Sequence, residues 1–185
     1  MGRIVANVIT SIDGITESPG EWGMRLFDVD AQRESLKRLL NSEAMLMGRQ
    51  TYQALEAVWA GNDGPLGKRI NSIKKYVFST TLGTASMSNA EVIRGDAVVE
   101  ATRLRSSAIA DLTVFGFGRL PRALMDAGLL DELRLLLNPV FVGTGDGLHS
   151  VHRRCDMRLA SSETLPTGLV VLTYRPLIGP SMIGS

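Results

Sequence analysis

The sequence predicts an α/β fold whose central sheet is parallel over most of its extent and is extended by antiparallel strands toward the carboxyl end. Two observations predict it. Up to residue 138, short runs rich in Val, Ile and Leu alternate with helix-forming segments, the pattern of successive βα units. Beyond residue 138 the strand-like runs are separated by turns alone, which suits antiparallel neighbours. A chain of 185 residues that is 44% hydrophobic holds one core, which places a single domain at residues 1–176 and a short tail at 177–185.

Residues 3–10 are a compact apolar run bounded by the turn-prone Ser11-Ile-Asp-Gly14 and read as a buried strand. Residues 15–27 contain Pro19, Gly20, Trp22 and Gly23, a composition suited to a loop. Asp28 or Asp30 caps the following helix, where Leu36, Leu39 and Leu40 share a face. A strand at 44–47 stops at Gly48, and residues 49–58 have helix-forming composition. Residues 62–65 read as a loop, and a third strand at 75–79 ends in Ser79-Thr-Thr81. A short strand at 91–93, a helix at 97–105 and a strand at 112–115 lead to Gly116-Phe-Gly118. Pro121 suits the first turn of a helix that runs to residue 127, and Gly128 supplies its stop. Residues 131–138 return to the sheet, and strands follow at 140–142, 158–164 and 168–174.

Twenty Lys plus Arg against nineteen Asp plus Glu leave a formal charge of +1, so no whole-protein field draws the chain to nucleic acid or anionic lipid. Cys155 is the only cysteine, which excludes an intramolecular disulfide and a thiolate-rich metal cage and predicts a reducing, cytoplasmic setting. No apolar run reaches the roughly 18 residues of a membrane span. The amino-terminal run is interrupted by Asn7 and followed by Asp13, too short and polar for a secretory signal.

In an open α/β sheet the carboxyl ends of parallel strands face a common crevice, and three strand endings share that rim. They are Gly48-Arg49-Gln50-Thr51, Ser79-Thr80-Thr81 and Gly116-Phe117-Gly118. Glycines let backbone N–H groups come close to a phosphate, helix amino termini carry partial positive charge, and hydroxyls donate without adding charge. Together they point to a dinucleotide. The guanidinium of Arg49 can grip a phosphate monoester on an adenosine ribose, the group that separates NADPH from NADH. Each feature also has an ordinary reading, as an exposed arginine, a hydroxyl-rich turn or a tight strand-to-helix turn. Pro121 stands where a Gly-x-Gly-x-x-Gly fingerprint needs its last glycine, and the phosphate-loop, nucleophile-elbow and His-Glu-x-x-His motifs are absent.

Asp13 follows the first strand, where a carboxylate can hold or protonate a substrate or simply stabilise its Asp-Gly turn. Asn7 and Ser11 flank the same turn as lining residues. Trp22 can stack on a planar substrate while its loop acts as a lid, or pack against the sheet. His149, His152 and Cys155 are three apart and able to bind metal, but Arg153-Arg154 repels a cation and no second ligand pair exists. That segment reads as a polar loop with one small core thiol, and no metal is expected.

In their order, these motifs resemble the dihydrofolate-reductase-like superfamily, specifically the reductase domain at the carboxyl end of bifunctional riboflavin-biosynthesis deaminase-reductases. The resemblance rests on Ala6-Asn-Val-Ile-Thr-Ser-Ile-Asp-Gly14, Leu46-Met-Gly-Arg-Gln-Thr-Tyr52, Gly128-Leu-Leu-Asp-Glu-Leu133 and Asn138-Pro-Val-Phe-Val-Gly-Thr-Gly145, spaced over about 140 residues. It implies a three-layer fold and an NADPH-dependent reductase. Gly48, Arg49, Thr51, Ser79 and Thr80 would take the adenosine-phosphate side of the cofactor, and Gly116 and Gly118 the pyrophosphate. The sequence departs from that family at Phe117, whose side chain must point away from the phosphate or restrict its approach. The 185 residues hold only the reductase portion of such an enzyme.

The reading is a reductase that moves hydride from NADPH to an imine, carbonyl or related electrophilic carbon of a small polar substrate, with Asp13 orienting or protonating that substrate. The riboflavin-pathway 5-amino-6-(5-phosphoribosylamino)uracil reductase, a dihydrofolate-type reductase and a nucleotide-binding sensor without turnover remain alternatives. The carboxyl-terminal strands and the resemblance together suggest a homodimer.

Overall fold

The computed structural model describes residues 1–151 and 153–177, so most of the expected tail lies outside the described residues. In chain order the elements are β1 (Ile4–Thr10), α1 (Pro19–Trp22), α2 (Val29–Leu40), β2 (Ser42–Gly48), α3 (Arg49–Trp59), α4 (Pro65–Ser72), β3 (Lys74–Phe78), β4 (Ala90–Ile93), α5 (Ala97–Ser107), β5 (Asp111–Phe115), α6 (Arg119–Asp126), β6 (Glu132–Leu137), β7 (Met157–Thr164) and β8 (Val170–Pro176). The strands form one eight-stranded sheet in the order β4-β3-β2-β5-β1-β6-β8-β7. Pairing is parallel from β4 through β6, then antiparallel for β6 with β8 and for β8 with β7.

Alternation along the strands sorts their side chains onto two faces. Ile4, Ala6 and Val8 of β1, Leu46 of β2 and Leu112 and Val114 of β5 pack with Leu104 of α5 and Leu120 and Leu124 of α6. Met45 and Met47 of β2 and Val77 of β3 pack on the opposite face with Leu39 of α2, Tyr52 of α3 and Leu66 and Ile70 of α4. The result is three layers, helices on both faces of the sheet, as parallel strands buried on both sides require. Asp28, rather than Asp30, caps α2, its carboxylate accepting from the Asp30 and Ala31 amides at 3.0 Å.

Besides the short helix α1 inside the segment 15–27 that reads as a loop, two elements differ from the sequence reading. Residues 140–142 form no strand. Both edges of β6 are already paired, with β1 and β8, so the segment that follows β6 cannot fold back to pair with it. It is held instead against the turn after β1, where the Ile12 amide donates to the Val140 carbonyl at 2.9 Å. Helix α4 was not foreseen, because residues 62–65 read as a loop and no element was assigned between that loop and the third strand. Pro65 occupies the first helical turn, where its missing N–H costs nothing. Gly67 is demanded by a close approach, since a Cβ there would lie 2.3 Å from Asn62 Oδ1.

Lys75 is fully buried at the start of β3. Its ammonium donates to the carbonyls of Ile73 (2.8 Å), Ser88 (2.9 Å) and Asn71 (3.1 Å), which ties the end of α4 to the chain entering β4. Desolvation lowers its pKa to about 8. Lys75→Met keeps the volume but leaves these acceptors without their donor, and it is expected to lower the free energy of unfolding in urea by about 2–3 kcal/mol. Unchanged stability would contradict the assigned role.

Candidate active site

Strand β5 enters the sheet between β1 and β2, which brings three strand endings together at one rim. Gly48 of β2 lies beside Phe78 of β3, and the Gly116 amide, just past β5, donates to the Asn7 carbonyl of β1 at 3.2 Å. Gly116 has φ +78°, and a Cβ there would meet Thr51 Oγ1 at 3.0 Å, so only glycine fits this turn without strain. Gly48 and Gly118 face open space.

The two helices leaving this rim differ from α2 and α5, and among the described helices share with α4 alone an uncapped, acid-free start, α4 beginning instead with Pro65. Helix α3 starts after Gly48 and α6 after Gly118; neither has a side-chain cap, and neither carries an acidic residue in its first turn. By contrast, α2 and α5 are capped by Asp28 and Asp96 and carry Asp30 and Glu100 in their first turns. Uncapped amides and the helix dipole make an amino terminus a ready site for phosphate. Arg49 and Arg119 open the two helices, and Arg49 is exposed with no hydrogen-bond or ion-pair partner among the described residues. The rim therefore fits the phosphates of a dinucleotide.

Inward from the rim, a cavity of about 480 Å³ opens between the sheet and the layer formed by α2, α3 and α4. Its floor is Asn7 and Ile9 of β1, Thr113 and Phe115 of β5 and Leu136 of β6. Leu55, Val58 and Trp59 of α3 and Leu66 and Ile70 of α4 form one wall, and residues 16–20 with Met24 and Phe27 form another. Residues 116–118 border the mouth, so a ligand in the cavity lies directly beside the phosphate-ready rim. Volume and apolar lining are those of a small-molecule site.

Of the residues singled out from sequence, Asn7, Thr51, Gly116 and Gly118 line this cavity. Gly48, Arg49, Ser79 and Thr80 stand on the adjoining rim, at the ends of the neighbouring strands β2 and β3. The Ser79 hydroxyl is engaged locally, accepting from the Thr81 (3.2 Å) and Leu82 (2.9 Å) amides, while Arg94 donates to the Thr80 carbonyl and fixes the turn. Phe117 turns away from the phosphate side. It is 4% exposed and packs in the core beneath α5 and α6, leaving backbone alone at the rim.

Asp13, Ser11 and Trp22 lie outside the cavity lining. The Asp13 carboxylate accepts from Ser11 Oγ (2.6 Å) and from the Gly143 (2.7 Å) and Val142 (3.2 Å) amides, clamping the loop after β6 to the turn after β1. These bonds, that from Ser11 foremost, lower its pKa to about 2, so it carries no proton to donate near neutrality. Ser11 is buried, and its hydroxyl also accepts from the Ile15 amide. The Trp22 indole donates to the Glu17 carbonyl at 2.9 Å, and Met24, Phe27 and Trp59 take the wall positions expected of it. Cys155 is exposed rather than a core thiol, His152 lies outside the described residues, and no group of three metal-binding side chains occurs among those described.

The sequence reading missed the α3–α4 wall and the charged mouth. Glu17 and Asp146 both line the mouth. Glu17 Oε2 accepts from the Asp146 amide at 2.8 Å, and Asp146 is held ionised by Ser150 and Arg122, with its pKa lowered to about 2. The sequence carried no signal for the wall, because Tyr52, Leu55, Val58 and Trp59 form the apolar stripe of an ordinary amphipathic helix.

The strand order, the three layers and the rim define a dihydrofolate-reductase-like α/β protein. Residues 3–171 match the RibD C-terminal domain, and the chain belongs to that family of NADPH-dependent reductases. It is 28% identical over 180 residues to YyaP of Bacillus subtilis (strain 168), described as uncharacterized, covering 93% of this chain and 94% of that one. A structure provisionally assigned to riboflavin biosynthesis from Shewanella sp. PV-4 superposes with a TM-score of 0.74 at 18% identity, covering 95% of this chain and 99% of that one. The deaminase/5-amino-6-(5-phosphoribosylamino)uracil reductase of Thermotoga maritima gives 0.65 at 14% identity, and this chain, 95% covered, spans 57% of it. Among the described residues, no helix is long and apolar enough to cross a membrane.

The Asp13 clamp has a pH signature. Its pKa falls from 3.8 to about 2 on folding, so the stability it confers is complete above about pH 4 and is lost as the pH drops through 2. In Asp13→Asn the decline in urea midpoint between about pH 4 and pH 2 is expected to be shallower than in the parent. Parallel declines would contradict the clamp.

Proposed function

We propose that the protein is an NADPH-dependent reductase that transfers hydride to an imine, carbonyl or related electrophilic carbon of a small molecule held in the cavity. The observation that carries this reading is the pair of uncapped, acid-free helix amino termini of α3 and α6 on one rim, next to an apolar cavity of about 480 Å³. When bound, NADPH supplies the hydride. The chain's own residues bind, orient and exclude water. The amides of residues 116–118 and the start of α6 would receive the pyrophosphate, and Gly48, Arg49 and Thr51 the adenosine-phosphate side, with Ser79 and Thr80 as neighbours. Phe115, Trp59 and Phe27 keep water from the inner cavity. Asp13 acts as a positioning residue, by holding the loop after β6, rather than as the proton source.

The riboflavin-pathway pyrimidine reductase and a dihydrofolate-type reductase share this rim, and a sensor without turnover would keep the rim alone. NADPH oxidation measured against carbonyl compounds, pteridines and phosphoribosylaminopyrimidines separates the three. A single cysteine suits the reducing, cytoplasmic setting in which such a cofactor is maintained. A homodimer belongs to the same proposal and is supported by β7, an outer strand exposed along nearly its whole length. Light scattering is expected to give twice the 20.0 kDa chain mass, and a monomer would contradict that part.

NADPH is expected to bind at least about tenfold more tightly than NADH, and Arg49→Ala to remove most of that preference, since one charge-assisted contact to phosphate accounts for about that factor. Equal affinities in the parent protein would overturn the assignment of the rim.

A further inference from the structure

Resting on the reading of the cavity as the reductase's substrate pocket, we infer that it selects a flat, mainly apolar compound without a phosphate, unlike the phosphoribosyl compound named for the Thermotoga maritima enzyme.

Cationic groups suited to phosphate, Arg49 and Arg119, open the helices on the rim and neither lines the cavity. Within the cavity, the charged side chains among the described residues are Glu17, Arg38 and Asp146. Arg38 is already paired with Glu163 at 3.2 Å, and its side chain is mostly buried. Asp146 is paired with Arg122, which leaves the Glu17 carboxylate as the unbalanced charge at the mouth. A phosphate entering here would pass a carboxylate, shed its water and find no free cation inside.

The walls favour the opposite kind of ligand. Phe115 of β5, Leu136 of β6, Leu55 of α3 and Ile70 of α4 supply apolar surface from four different elements. Phe27 and Trp59 meet edge to face, with ring centroids 6.4 Å apart and planes at 81°. That arrangement is itself favourable, and it presents a ring face and a ring edge to a planar guest. Asn7, Ser35 and Thr113 are among the polar groups available to orient it.

Three probes with one ring system separate charge from shape: 1-naphthol, 1-naphthylmethylamine and 1-naphthyl phosphate. Their binding to the full chain is measured by calorimetry in excess inorganic phosphate, which occupies the rim subsites, and is repeated with Glu17→Gln. The neutral and cationic probes are expected to bind, 1-naphthyl phosphate at least about tenfold more weakly, and Glu17→Gln to narrow that gap. The inference is overturned if the phosphate probe binds as tightly as 1-naphthol, if 1-naphthol fails to bind, or if Glu17→Gln leaves the gap unchanged. A separate NADPH titration of the same protein reports on the reductase reading, so failure of one is distinguishable from failure of the other.

Discussion

The insertion of β5 between β1 and β2 is the constraint on which the rest of the site depends. Parallel pairing on both sides fixes where β5 ends, and its final turn thereby touches both neighbours, Asn7 through a backbone hydrogen bond and Thr51 through close approach. A side chain at Gly116 would crowd Thr51 of α3 and strain a turn held at φ +78°. The crevice lies where ligands of open α/β sheets bind, outside the carboxyl ends of the strands.

Electrostatics then divides the site into two regions. Helix dipoles, free amides and arginines concentrate at the rim, whereas the interior is lined by aliphatic and aromatic groups and is bordered by Glu17 and Asp146. The same backbone turn serves both regions, because the Phe117 side chain is drawn into the core and its peptide groups stay at the surface. Burial of one aromatic thus leaves backbone alone at that position of the rim, as a glycine would.

Much of the fold was legible because β-branched runs alternate with helical stretches and because glycine marks the strand ends at Gly48 and Gly116. The misreadings have local causes. Residues 140–142 have strand composition, but strand formation needs a free sheet edge, and the pairing of β6 on both sides is a tertiary fact. Helix α4 was missed because Pro65 closes a segment that read as a loop, whereas in the fold that proline opens the helix. The shared rim was legible because Gly48, Ser79 and Gly116 each follow a strand-like run, and an open α/β sheet gathers the carboxyl ends of such strands, although each of these residues alone has an ordinary reading. The cavity walls were not, since Leu55, Trp59 and Ile70 look like core residues until the space between them is seen. Asp13 was ambiguous for a related reason: an Asp-Gly pair beside a strand end suits catalysis and turn-making alike, and its bonds to Ser11, Val142 and Gly143 show the turn-making role.

Amide hydrogen exchange with and without NADPH tests the shared rim most directly, because it reads the backbone groups on which the account rests. Added cofactor is predicted to slow exchange together at the first turns of α3 and α6 and at Gly116, and to leave the capped start of α5 unchanged. Protection confined to one of these helices, or absent from both, would contradict the account.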